Sequence, residues 1–153
     1  MEKKTLKLTN VTSLADVARG ELVELPGWTQ DKPFVARLRR ASLTGMIRAG
    51  KIPNPLIAAA QRLYEGARST ARVSFEDTAK VMRMVVADAL VEPKEAVLEE
   101  MGLTLTEQQA DQIYMYAIQG PKALERFRLQ SQRRDADPSG DAEPGEAQQS
   151  AGT

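Results

Sequence analysis

The sequence contains neither cysteine nor histidine. That excludes disulfides, thiolate nucleophiles, nearly all zinc and haem ligation, and the commonest general base. No glycine-rich phosphate loop, His-Glu metal signature or Gly-x-Ser-x-Gly elbow is present, so neither a cofactor site nor a metal site is expected, and no enzymatic role. The adjacent carboxylates Glu76-Asp77 and Glu99-Glu100 point about 100° apart on a helix and read as surface acids. No apolar run approaches the roughly 18 residues that span a bilayer. The N-terminal lysines lead into no apolar stretch, so no signal peptide is read. A soluble, intracellular protein is the expectation.

A chain of 153 residues can bury a core without covalent staples and is read as one domain. Its formal net charge is zero, but the charges are segregated. Arg37 to Arg83 carries ten basic residues against three acidic ones; Asp88 to Asp111 carries seven acidic against one basic; Asp135 to the end carries five acids and no base. Solvated helix faces with an acidic tail account for this, as does a basic surface that meets an acidic partner.

The expected fold class is mainly α, a small helical domain of about six helices with one N-terminal β-hairpin and a disordered acidic C-terminal tail. Residues 1–10 read as a flexible lead-in, 11–132 as the helical domain with its hairpin at 21–40, and 133–153 as the tail. Ser13 is the expected cap of a short helical turn that Gly20 ends. Glu21–Leu25 and Pro33–Arg40 alternate polar and apolar around a turn-rich Pro26–Lys32 connection. Ser42 caps a short helix burying Leu43, Met46 and Ile47, with Gly50 past its end. Ile52-Pro53-Asn54-Pro55 is a forced extended corner. The next helix has the stripe Leu56, Ala60, Leu63 and Tyr64. Ser74 with Asp77 opens a helix whose face is Phe75, Ala79, Met82, Val85, Val86 and Ala89. Pro93 breaks it and starts a short helix through Ala96, Val97 and Met101. Thr106-Glu107 opens another, with Ala110, Ile113, Tyr114, Ala117 and Ile118 inward. A last helix after Gly120-Pro121 buries Leu124 and Phe127.

Ten basic residues between Arg37 and Arg83 could neutralise phosphates if they shared a face. Against DNA binding, the connection before Leu56 holds two prolines, and the helix that follows, Leu56-Ile57-Ala58-Ala59-Ala60-Gln61, lacks base-reading side chains near its start. Arg39-Arg40-Ala41-Ser42-Leu43 matches a basophilic kinase site, yet Ser42 is better placed as a cap. Protein binding suits the chain best, because methionines adapt to varied apolar partners and a hairpin edge can pair with an incoming strand.

The stretch Glu24–Leu56 holds the sole tryptophan and four of the eight prolines. Its pattern ELPGW, FVARLRRASL and GKIPNPL, with YAIQGPKALERFR from Tyr116 to Arg128, resembles the tail assembly chaperones of long-tailed bacteriophages and prophages of Gram-positive bacteria. The resemblance covers most of residues 20–130. It implies a helical, oligomerising protein of the host bacterial cytoplasm, absent from the mature virion. It would bind the phage tape-measure protein, keep it soluble and assist the tail-tube protein in assembling around it. It also implies homo-oligomers and a frameshifted longer form of the chain as partners. On this basis apolar grooves between the helices from Leu56 to Ile118 would take tape-measure helices, with the strand Arg37–Arg40 steering by charge. The candidate contact residues are Trp28, Phe34, Arg37, Arg39, Arg40, Leu56, Leu63, Tyr64, Met82 and Met84. A small DNA-binding regulator and a structural tail or connector component remain the alternatives.

Overall fold

The computed structural model describes residues 4–70, 72–125 and 128. The expected acidic tail and Phe127 lie outside the described residues. The fold class expected from the sequence is corrected: the chain is α+β, and its strands form a three-stranded antiparallel sheet in the order β1-β2-β3. β1 (Glu21–Thr29) and β2 (Lys32–Leu38) make the hairpin, and β3 (Leu90–Glu92) adds a third strand on the far side of β2. The α-helices α1 (Val11–Ala18), α2 (Leu43–Arg48), α3 (Ile57–Glu65), α4 (Phe75–Ala89), α5 (Glu95–Glu100) and α6 (Glu107–Gln119) accompany the sheet, and residues 122–125 are helical again after Gly120-Pro121, with Leu124 buried as expected.

Two-residue alternation makes the hairpin half-buried. Val23 and Leu25 of β1, with Ala36 and Leu38 of β2, point inward and are buried, while Leu22 and Val35 face outward. The expected Pro26–Lys32 loop is instead largely strand, closed by Gln30 and Asp31. The register shifts between Leu25 and Thr29, and at Gly27 any Cβ would overlap the Lys32 carbonyl. Close backbone approach at a bulge explains why glycine stands there.

β3 had no sequence signal of its own. Three residues are too few for a period, and they follow a strong helix without a break. Leu90 turns extended at the end of α4 and is fully buried. The Arg39 amide donates to the Ala89 carbonyl at 2.9 Å and ties the junction down. The inner sheet face then packs on α6, and α6 packs on α4. Val81, Val85 and Ala89 of α4 meet Ile113, Tyr116 and Ala117 of α6 in one core with the sheet.

Several helix faces also depart from expectation. Asn10, not Ser13, caps α1 by accepting from the Thr12 amide at 2.8 Å. Phe75 and Tyr64 are exposed and Met82 is half-buried; Phe75 falls on the first turn of α4, where the core is reached only from Val81 onward. α5 buries Leu98, while Val97 and Met101 are exposed. α6 is rotated so that Tyr116 is buried and Tyr114 only partly so. Ser42, Ser74 and Thr106 cap α2, α4 and α6 as expected, each accepting an amide from three residues on.

Candidate functional site

The ten candidate contact residues divide into four places. Trp28 and Phe34 pack together with ring centroids 4.7 Å apart. Arg37, Arg39 and Arg40 end β2 and the connection after it. Leu56 is buried and Leu63 half-buried, both against the core, while Tyr64 is exposed. Met82 and Met84 are half-buried on α4, and Met84 packs on the core. Trp28 and Phe34 are thus brought together, and the arginines adjoin one another; the rest do not converge with either group.

Each arginine is engaged by its own chain. Arg37 donates to the Gly20 carbonyl at 3.1 Å and lies 3.8 Å from the Glu92 carboxylate. Arg39 donates to both the backbone carbonyl and the carboxylate of Asp88, at 3.0 Å each. Arg40 donates to the Ala117 and Ile118 carbonyls at 3.2 and 3.0 Å, satisfying the end of α6. Asp88 also accepts from Lys51 at 3.0 Å. Its burial alone would raise the carboxyl, but the Lys51 hydrogen bond and the Arg39 charge outweigh that and hold it below its ordinary value. These are structural contacts, so the expected basic steering surface is largely spent inside the fold.

A groove runs along β1 against the start of α6. It encloses about 790 Å³ and is lined by Glu24, Pro26, Trp28, Gln108, Gln112 and Arg128 among others. Its far wall is fixed by a glutamine that sequence reasoning missed. Thr106 and Gln109 form a capping box, the Gln109 carbonyl oxygen accepting from the Thr106 amide at 2.9 Å. The Gln109 amide nitrogen then donates to the Pro26 carbonyl at 2.8 Å. That carbonyl falls inside the β1 irregularity, where the hairpin ladder lapses. The Trp28 indole donates to the Thr104 carbonyl at 2.7 Å and holds the same two elements together.

Three residues on, Gln112 is only 6% exposed and lines the groove. Among the described residues its side-chain amide has no hydrogen-bond partner. A carboxamide offers two donors and an acceptor with two lone pairs, so the groove wall presents a group able to bond a polar backbone or side chain. The signal for Gln109, not for Gln112, was present in the sequence as Thr106-x-x-Gln109, a capping box. Searches against known protein families, curated proteins and solved structures find no match.

Three smaller cavities lie elsewhere. One of about 490 Å³ separates α1 from the sheet and is lined by Val17, Glu21, Arg40 and Tyr116. Burial, then the nearby Glu21 carboxylate, pushes the Tyr116 phenol well above its ordinary value. Another adjoins the Asp88 cluster, and the last lies between α1 and the outward side of β2 and β3. None of these four cavities is lined by Leu56, Leu63, Tyr64, Met82 or Met84. No helix among the described residues is long and apolar enough to cross a membrane.

Proposed function

We propose that this chain is a phage tail assembly chaperone that holds segments of a tape-measure protein soluble while tail-tube protein assembles around them. The groove between β1 and α6 is the surface we assign to that grip, in place of the grooves between helices expected from the sequence. What supports the reading is one coincidence of sequence and geometry. The stretch that resembles these chaperones begins at Glu24, and its first six residues, Glu24 to Thr29, line the groove. The groove offers an aromatic face at Trp28 and an open carboxamide at Gln112. Such a pairing suits reversible grip on amphipathic chain, apolar contact supplying affinity and the amide restricting orientation. The arginines weigh against a DNA-binding regulator, because guanidinium groups already bonded to Asp88 and to backbone carbonyls leave fewer charges for phosphates.

Co-expression with the tape-measure protein of the same phage or prophage tests the assignment. The tape-measure protein is expected in the soluble fraction with the intact chain, and in the pellet when Trp28→Ala and Gln112→Ala are combined. A tape-measure protein that is equally insoluble with and without the intact chain overturns the chaperone reading. One that is rescued equally by intact and doubly substituted chains overturns the groove.

A further inference from the structure

We infer that the N-terminal arm, residues 4–18, docks on the outward face of the sheet in a second copy of this chain, and that the exchange is reciprocal. The arm carries Leu6, Leu8, Val11, Leu14 and Val17, all exposed, and α1 buries none of its residues. Within α1, Val11, Leu14 and Val17 recur at three-residue spacing and share one side. An eight-residue helix is too short to persist in water without a surface to cover its apolar side.

The complementary surface is the outward face of the sheet. There Leu22 is 65% and Val35 53% exposed, diagonal neighbours on paired strands, Leu22 opposite Arg37 and Val35 opposite Glu24. Beside them α1, Arg37, Val91 and Glu92 border an open concavity of about 610 Å³. The charges match the occupant. Lys4 and Lys7 flank the arm's leucines, and the outward face carries the acids Glu24 and Glu92 around Arg37, which already adjoins Glu92.

The joint between the arm and the sheet is fixed. Gly20 is buried with φ +93, a conformation side chains rarely adopt, and a Cβ there would stand 2.5 Å from the Leu38 carbonyl. Its amide donates to Val17 and its carbonyl accepts from Arg37, so the exit direction of α1 is pinned at both ends.

Area decides between a one-way and a mutual contact. At about 60–120 Å² of apolar surface per side chain, five arm residues and two sheet residues amount to several hundred Å². That is too little for a stable interface alone, whereas two such contacts in a two-fold dimer bury on the order of 1,000 Å², the lower bound for a specific one.

Sedimentation velocity on the full chain, from low to high micromolar concentration, tests it. Intact protein is expected to dimerise. Leu14→Asp with Val17→Asp on the arm, or Leu22→Lys with Val35→Lys on the sheet, should each weaken dimerisation at least tenfold. All four side chains are exposed, and unchanged circular dichroism checks that the fold survives. Mixing the two variants leaves a single arm to meet a single intact sheet, so association should stay far weaker than that of the intact chain. An intact chain that stays monomeric overturns the inference, as does a dimer insensitive to both pairs. A monomer in which the sheet substitutions increase hydrogen exchange of the arm would also overturn it, by showing closure within one copy.

Discussion

The arginine end of β2 and the groove beside β1 come from one stretch of sequence, and they differ in how much of their polarity the fold has already used. At Arg37, Arg39 and Arg40 every guanidinium meets a carbonyl or carboxylate of the same chain. Around the groove, Gln109 is used at both ends of its amide while Gln112, one turn later and nearly as buried, has no partner among the described residues. Formal charge is therefore a poor guide to an available surface here. A neutral amide left open by its surroundings is the better one, because a buried polar group without a partner gains most from acquiring one.

The largest effect is expected at Gln109. Gln109→Leu removes the capping box and leaves the Pro26 carbonyl without its donor, and should cost about 2–4 kcal/mol in urea denaturation. A loss below about 1 kcal/mol would erase the distinction between the two glutamines. Arg40→Ala should cost about 2 kcal/mol, since two charge-assisted hydrogen bonds at the end of α6 disappear. Because its partners are carbonyls, that cost should change little with added salt; strong salt dependence would return Arg40 to the pool of free surface charge.

The Asp88 cluster sharpens the same contrast through pH. Its carboxyl is held below the ordinary value of 3.8 in the folded chain. The stabilisation is therefore fully present above that value and is lost as pH falls through the folded one. Denaturation midpoints should drop on acidification below about pH 4, and Asp88→Asn should flatten that part of the curve. The smallest effect is expected at Gln112. Gln112→Leu should alter stability by no more than about 0.5 kcal/mol, or raise it, because an unpaired amide is exchanged for an apolar group of similar size. A cost like that of Gln109→Leu would mean that the Gln112 amide is already bonded within the fold, like its neighbour.

Local signals in the sequence located most helices, since caps and stops are written in a few residues. Ser42, Ser74 and Thr106 cap where expected, and α3 and α6 end at Gly66 and Gly120. Orientation was less legible. Apolar periodicity marks a stripe without fixing which flank of it meets the core, which is how Tyr114 was expected inward where Tyr116 is buried; Phe75 lies on a first turn that the core does not reach. β3 was illegible because its strand character is imposed from outside, by pairing of Leu90 and Glu92 with β2. The groove was hidden for a similar reason. It is built by contacts between residues far apart in the chain, such as the hydrogen bond from Gln109 to Pro26, 83 positions away.

The position of Trp28 makes the protein its own optical instrument. It is the sole tryptophan, its ring stacks on Phe34, and its indole nitrogen reaches across to Thr104 beside the groove. Emission from the unlabelled chain therefore reports on one spot, shifting when an occupant displaces solvent from the indole or when β1 parts from the start of α6. The absence of cysteine adds a second channel. A thiol introduced on the arm would be the sole attachment point for a quencher or acceptor, and a partner's arm could be followed against a donor already built in.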